Sequence, residues 1–169
     1  MSVIVALKAN DRVYLACDSQ GTCGESKVIY SCPSNFKIWN VENADTCIMG
    51  SVGPHNDACA IKACDNLVRD IDYYRGIVDY EYIIDRVEPM IKDTLKEHMF
   101  ISNDNPYKDL ESRFVFAIDD KLFTIDFGAV YEYDDYTALG SGSSEAIGSL
   151  VSTNDCPIPE IRLINAIKA

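Results

Sequence analysis

The residues that follow the initiator methionine could supply a nucleophile. Methionine aminopeptidase removes Met1 before small residues, so Ser2 can carry the free α-amine of the chain. An N-terminal hydroxyl residue can attack a carbonyl carbon, with its own amine as the base. Asp18 follows two strand-like runs, 3–7 and 13–16, and a short hairpin would bring it back beside Ser2. The N-terminus is therefore a candidate active site.

Three more positions have residue types that suit such a site. Lys37 opens the Lys-Ile step of a later strand, Gly53 ends the run 50–53, and Ser141 lies in the glycine-serine run 140–143. Each candidate also has a purely structural interpretation. Asp18 could be a turn residue and Lys37 an edge-strand lysine. Gly53 could form a helix-entry turn and Ser141 a helix N-cap. The combination of these positions with Ser2 is a stronger signal than Ser2 alone.

Composition limits the class of protein. The chain has 169 residues, 27 acidic against 15 basic, and a formal net charge of -12. This charge argues against binding to nucleic acid or to an anionic membrane surface. No run approaches the roughly 20 apolar residues of a spanning helix, and the N-terminus lacks the pattern of a secretory signal. We expect one cytoplasmic globular domain spanning residues 1–169.

The cysteines do not predict a metal site or a disulfide framework. They number seven, they are scattered, and no Cys-x-x-Cys pair occurs. The two histidines, His55 and His98, lie far from the cysteine pair Cys17 and Cys23. We expect mostly buried, reduced thiols, with no metal and no cofactor.

The hydrophobic pattern changes period along the chain. Alternating runs predict strands at 3–8, 12–17, 27–31, 36–41, 46–51, 114–118, 122–126, 131–133 and 137–139. Apolar residues three and four apart predict amphipathic helices at 56–75 and 79–99, with a kink or late start at Pro89. A polar loop is expected at 103–108, a helix near 145–152, and a final helix starting at Pro157 or Pro159. This order favours sheets in the middle and helices outside.

Five short motifs in sequence carry a resemblance to a known family. They are SVIVA at 2–6, ACDS at 16–19, FKI at 36–38, GSVG at 50–53 and ALGSGS at 138–143. In these motifs the chain resembles the β-type peptidases of the proteasome within the N-terminal-nucleophile hydrolases. That group includes the HslV peptidase and small proteasome-like proteins of bacteria and phages. The resemblance implies an α+β fold, a four-layer αββα sandwich of two mainly antiparallel sheets flanked by helices.

The same resemblance assigns a role to each candidate residue. Ser2 would be the nucleophile in place of the usual threonine, and Asp18 would orient Lys37, whose charge favours the deprotonated Ser2. Gly53 would offer its backbone N–H to the oxyanion, and Ser141 would position the N-terminal amine.

The sequence departs from the family pattern in three places. The interval between Asp18 and Lys37 is longer than usual, which leaves Lys27 as the alternative lysine. Serine lacks the methyl group that helps to fix the threonine rotamer. The family also has a second aspartate near a later Ser-Gly-Gly stretch, which this sequence does not match, so the domain is expected to be short at its C-terminus.

Three functions are compatible with these observations. The first is a homo-oligomeric peptidase that cleaves peptides or unfolded proteins through an acyl-enzyme on Ser2, with an ATP-dependent unfoldase as a possible partner. The second is a catalytically silent proteasome-like subunit with a structural or assembly role. The third is an amidase for small molecules. Removal of Met1 would distinguish the peptidase from the silent subunit, and ring assembly would distinguish the peptidase from the amidase.

Overall fold

Two antiparallel sheets form the centre of the structure, a computed structural model that describes residues 2–23, 26–42, 44–69, 72, 76–98 and 111–169. Within these residues the strands are β1 (Ile4–Ala9), β2 (Arg12–Cys17), β3 (Gln20–Cys23), β4 (Ser26–Ile29), β5 (Ile38–Asn40), β6 (Cys47–Val52), β7 (Arg113–Ile118), β8 (Lys121–Asp126), β9 (Ala129–Tyr133) and β10 (Tyr136–Leu139). One sheet has the order β10-β1-β2 and the other β5-β6-β7-β8-β9, while β3 and β4 form a separate hairpin. Every strand pair is antiparallel.

Strand β1 shows how the layers stack, because its side chains alternate between the two faces of its sheet. Ile4 and Ala6 pack between the two sheets, in a cluster that includes Val115 of β7. Val5 and Leu7 face the other way, against two helices, α3 (Ser143–Ser152) and α4 (Pro159–Lys168). A strand buried on both faces lies in the interior of a layered fold.

The outer face of the five-stranded sheet is covered by two further helices, α1 (His55–Lys62) and α2 (Glu88–Glu97). Phe114 and Phe116 of β7 pack there against Ile61 of α1 and Ile91 of α2. The order from outside to outside is therefore helices, sheet, sheet, helices. The predicted four-layer αββα sandwich is confirmed.

The first predicted helix is shorter than expected. Helix α1 ends at Lys62, whereas the periodicity predicts 56–75. Asn66, four residues after the helix has ended, has a positive φ of 61° that prevents helical geometry from continuing through it, yet Leu67 and Val68 remain buried in the core. Their burial explains why the apolar spacing continues past the helix. Residues 70–71 and 73–75 of this prediction lie outside the described residues, as does the loop predicted at 103–108.

The second predicted helix contains the expected irregularity near Pro89. A short α-helical segment, Tyr80–Tyr82, is followed by a π-helical segment, Ile83–Val87, and then by α2. Proline has no N–H to donate to the preceding turn, and a widened π turn absorbs the missing hydrogen bond. The Asp79 side chain caps the start by accepting from the Tyr82 N–H at 2.9 Å. Residue 99, the predicted end, lies outside the described residues.

The last helix exposes part of its apolar surface, and the cysteines are more exposed than the sequence predicts. Ile161 and Ile164 of α4 are exposed, because α4 buries Leu163 and Ala166 instead. Of the six cysteines whose side chains are described, all free, Cys47 alone is buried. The expectation of mostly buried thiols is wrong, because the others lie in loops, on a helix surface or at a sheet edge. No helix in the described part of the chain is both long and apolar enough to span a membrane.

Candidate active site

The carboxylate of Asp18 connects three segments at the start of the chain. Its Oδ1 atom accepts from the backbone N–H of Val3 at 2.7 Å and from the ammonium of Lys37 at 2.6 Å. Its Oδ2 atom accepts from the backbone N–H of Gln20 at 3.0 Å. The antiparallel β1–β2 pair causes this proximity, because its register places Ile4 opposite Cys17. The hairpin expected from the sequence therefore brings Asp18 beside the residue that follows Ser2.

Lys37, and not Lys27, is the lysine that reaches Asp18. Lys37 precedes β5, its carbonyl accepts from the Ser51 N–H at 2.9 Å, and its side chain is 8% exposed. Lys27 lies on β4, where its side chain is exposed. A lysine is rarely buried unless it is paired, so its ion pair with Asp18 accounts for the burial of Lys37.

A second lysine holds the segment that leads into Lys37. Lys62, the last residue of α1, donates to the carbonyls of Ser34 at 3.1 Å and Phe36 at 2.7 Å. Its ammonium also lies 4.9 Å from the ring centroid of Trp39. These contacts attach helix α1 to the residues on both sides of Lys37, and thereby fix the path of that segment.

Ser2 contacts the glycine-serine turn that follows β10. Its backbone nitrogen donates to Ser141 Oγ at 2.9 Å, and its carbonyl accepts from the Gly142 N–H at 3.3 Å. With Met1 in place this nitrogen is a peptide nitrogen, and after Met1 removal it becomes the α-amine. Gly140 has a φ of +102°, and a Cβ atom there would lie 2.1 Å from the Ser2 carbonyl oxygen. The turn can approach Ser2 this closely only because residue 140 is glycine.

Replacing Gly140 with alanine is expected to destabilise the fold by at least about 2 kcal/mol, since strain in the left-handed region adds to the clash with Ser2. Urea denaturation measures the loss. The matched control is Gly148→Ala in α3, where an added Cβ meets nothing within 4 Å. That variant should be as stable as the wild type or slightly more so, because alanine is the better helix former. Equal stability of both variants would contradict this account of the turn.

Gly53 shares one open cleft with three of the other predicted residues, while Asp18 is outside the lining and contacts Lys37. The cleft has a volume of about 820 Å³, and its lining includes Ser2, Lys37, Gly53 and Ser141. The sequence did not single out much of the remaining wall, which includes Gln20, Tyr30, His55, Glu111 and Arg113. The rings of Tyr30 and His55 stack there at 5.2 Å between centroids. Three segments distant in sequence contribute these residues, and no local pattern marks them.

Two titratable groups near the cleft have shifted pKa values. Burial raises the pKa of the Cys17 thiol, although the charge of Lys37 acts in the opposite direction. Cys17 therefore stays protonated at neutral pH and is a poor nucleophile. Burial also raises the pKa of Asp57, while the hydrogen bond from Ser112 lowers it. Asp57 lies in the first turn of α1 and its side chain makes no cap there.

The raised pKa of Asp57 predicts a pH-dependent stability difference. The folded state binds more protons than the unfolded state between the ordinary and the raised pKa, so Asp57 loses stabilising effect as pH rises through this interval. An asparagine side chain at this position would not titrate. The Asp57→Asn variant should therefore gain stability relative to the wild type between about pH 4 and about pH 7. Urea denaturation at both pH values measures this, with the exposed Asp134→Asn as the control. A difference that is independent of pH would contradict the prediction.

Comparison with known proteins agrees with this architecture. The sequence matches the family described as proteasome subunit over residues 2–158. BPH of Thiobacillus denitrificans, solved in complex with epoxomicin, superposes with a TM-score of 0.69 at 17% identity, covering 98% of this chain and 90% of that chain. Eukaryotic HslV from Trypanosoma brucei superposes with a TM-score of 0.67 at 19% identity, covering 98% and 88%. A search of curated protein sequences gave no match.

A four-layer sandwich of two antiparallel sheets between helices, with a cleft at the start of the central strand β1, is the fold of the N-terminal-nucleophile hydrolases. Within that class, the chain belongs to the proteasome subunit family.

Proposed function

We propose that this protein is a peptidase that uses Ser2 as its N-terminal nucleophile once Met1 has been removed. The observation that carries the proposal is the position of Asp18, whose Oδ1 atom binds both the Val3 N–H and the Lys37 ammonium. This arrangement directs a buried positive charge toward the residue next to Val3. A fixed cation there favours the neutral amine and the developing serine alkoxide.

The reaction follows from these groups. The Ser2 hydroxyl attacks the peptide carbonyl while the Ser2 amine accepts its proton. The Gly53 N–H binds the oxyanion of the tetrahedral intermediate. The C–N bond then breaks, the leaving amine takes the proton from the Ser2 ammonium, and an ester forms on Ser2. Water, deprotonated by the same amine, attacks the ester, releases the carboxylic acid product and restores the serine.

The shape of the cleft supports a peptide or unfolded protein segment as the substrate. At about 820 Å³ the cleft lies in the upper part of the range of about 300–1,000 Å³ that small-molecule sites occupy, but it is open to solvent, and its wall combines apolar and charged side chains. An amidase for a small molecule would gain little from such an open site. The proposed substrate is therefore an extended chain that binds along the cleft.

We further propose that the protein acts as a homo-oligomer in the cytoplasm, with an ATP-dependent unfoldase as a candidate partner. Ile161 and Ile164 of α4 are 44% and 50% exposed, Ile158 just before this helix is 46% exposed, and Val151 of α3 is 56% exposed. Apolar side chains clustered in this way favour an interface with another subunit. An enclosed assembly would also protect other proteins from an open, unselective cleft.

The test is to measure processing, assembly and hydrolysis on one preparation. Intact mass reports the loss of Met1, sedimentation reports the assembly, and fluorogenic peptides report activity. We expect a protein without Met1, a species well above the 18.8 kDa monomer, and hydrolysis. A Met1-free, assembled wild type without hydrolysis would instead support a catalytically silent subunit.

A further inference from the structure

The backbone at Gly53 depends on a neighbouring strand for its conformation. Gly53 has a φ of +128°, a region that side chains other than glycine rarely adopt. A Cβ atom at this position would lie 2.7 Å from Ser112 Oγ and 2.8 Å from Ser112 Cα. Gly53 follows β6 and Ser112 precedes β7, two strands paired in register up to Val52 and Arg113. The turn at Gly53 therefore packs directly on Ser112.

Ser112 is itself held by a buried carboxylate. Ser112 is 0% exposed and its hydroxyl donates to Asp57 Oδ2 at 2.6 Å. Asp57 is 4% exposed and lies in the first turn of α1, four residues after Gly53. A hydrogen bond to a buried charged group is stronger than a neutral one. The chain runs from β6 through Gly53 into α1, where Asp57 lies. The Ser112–Asp57 bond connects α1 to the residue that precedes β7, so Gly53 lies within a closed loop.

We infer that Ser112 and Asp57 are positioning residues that aim the Gly53 N–H into the cleft. The inference rests on the proposed function, in which this N–H stabilises the oxyanion. Gly53 has no side chain to hold the peptide plane that carries its N–H. Its φ lies in an uncommon region, so the turn could relax to a more common conformation if nothing held it. The Ser112–Asp57 bond removes that freedom from both sides of the turn. Neither residue lines the cleft, so each would act through Gly53 and not on the substrate.

An effect on the oxyanion has a kinetic signature that general loosening of the fold lacks. The oxyanion exists in the transition state and not in the bound substrate, so a misplaced donor lowers kcat and leaves KM nearly unchanged. Loss of a whole oxyanion donor costs about 100- to 1000-fold in kcat. A donor that is present but poorly aimed should cost less, about 10- to 100-fold.

The experiment compares Ser112→Ala with two other variants in the assembled, Met1-free protein. Ser112→Ala should lower kcat by about 10- to 100-fold with KM within about twofold of the wild type. Asp57→Asn keeps an oxygen that can accept from Ser112 and should retain most of the activity. Thr124→Val is the matched control, because it removes another buried hydroxyl, which is bound to Tyr133 on the neighbouring strand and does not belong to the cleft lining.

Two further measurements keep the inference testable if a variant folds poorly or the wild type is inactive. The Ser112→Ala/Asp57→Asn double variant avoids a buried carboxylate without its hydroxyl partner, and it should still show the low kcat. Amide hydrogen exchange across Gly53, measured in a Ser2→Ala background, should be faster in Ser112→Ala and unchanged in Thr124→Val. If amide exchange at Gly53 is faster in Ser112→Ala but the wild type does not hydrolyse peptides, the positioning role stands and the proposed peptidase function is wrong. Unchanged exchange, or a kcat loss equal to that of Thr124→Val, would overturn the inference.

Discussion

Ser2→Ala is expected to abolish peptide hydrolysis, with a loss of at least about 1000-fold, because the proposed mechanism has no other nucleophile. The fold and the assembly should not change. The substitution deletes one hydroxyl from a partly exposed residue, and the backbone bonds of Ser2 to Ser141 and Gly142 remain available. Initial rates with fluorogenic peptides measure the effect, and sedimentation and thermal unfolding show that the structure is retained.

The control for Ser2→Ala is Ser152→Ala, which removes a hydroxyl from an exposed serine at the end of α3. This variant should hydrolyse peptides at the wild-type rate. Hydrolysis that survives Ser2→Ala unchanged would exclude the N-terminal-nucleophile mechanism, whatever the fold.

Lys37→Met should reduce hydrolysis nearly as much as Ser2→Ala, by at least about 100-fold, since it removes the charge and keeps the apolar stem. Residues that act as one unit are not additive, so the Ser2→Ala/Lys37→Met double variant should be no slower than Ser2→Ala. Stability should also fall, on the order of 2 kcal/mol, because Asp18 keeps two backbone donors but loses its cation. Rates and urea denaturation separate the two effects.

Lys27→Met provides the comparison for Lys37→Met. Lys27 was the alternative lysine in the sequence, and it lies exposed on β4 away from Asp18. Its replacement should leave both rate and stability unchanged. A large loss in Lys27→Met together with an active Lys37→Met would reverse the assignment of the site lysine.

The strands could be predicted from the sequence because their pattern is local. Runs such as 12–17 and 122–126 differ from the observed β2 and β8 by one residue or less at each end. The hairpin strand β3, Gln20–Cys23, was missed because glycine and polar residues hide its period. The helices were harder to predict, because apolar spacing records burial and not helical geometry. Leu67 and Val68 are buried beyond the end of α1 for this reason.

The candidate site could be predicted only in part. The hairpin pattern itself brought Asp18 back to the N-terminus. Lys37, Gly53 and Ser141 were assigned to the site through a resemblance, since spacing along the chain cannot show that they line one cleft. The Ser112–Asp57 pair gave no signal, because it spans 55 positions and neither residue belongs to a motif. The wall residues depend in the same way on tertiary packing between distant segments.

The hydrogen bond between Ser2 and Ser141 can form only late in the synthesis of the chain. These partners are 139 positions apart, and β1 lies between β2 and β10, which is made near the end of the chain. At 5–20 residues per second, translation needs roughly 7 to 28 s to add this stretch. For most of that interval, once the N-terminus has left the exit tunnel, the proposed nucleophile is outside the ribosome while the turn that holds it has not been made. Met1 can therefore be removed from an accessible end, and a nascent chain cannot carry a complete site.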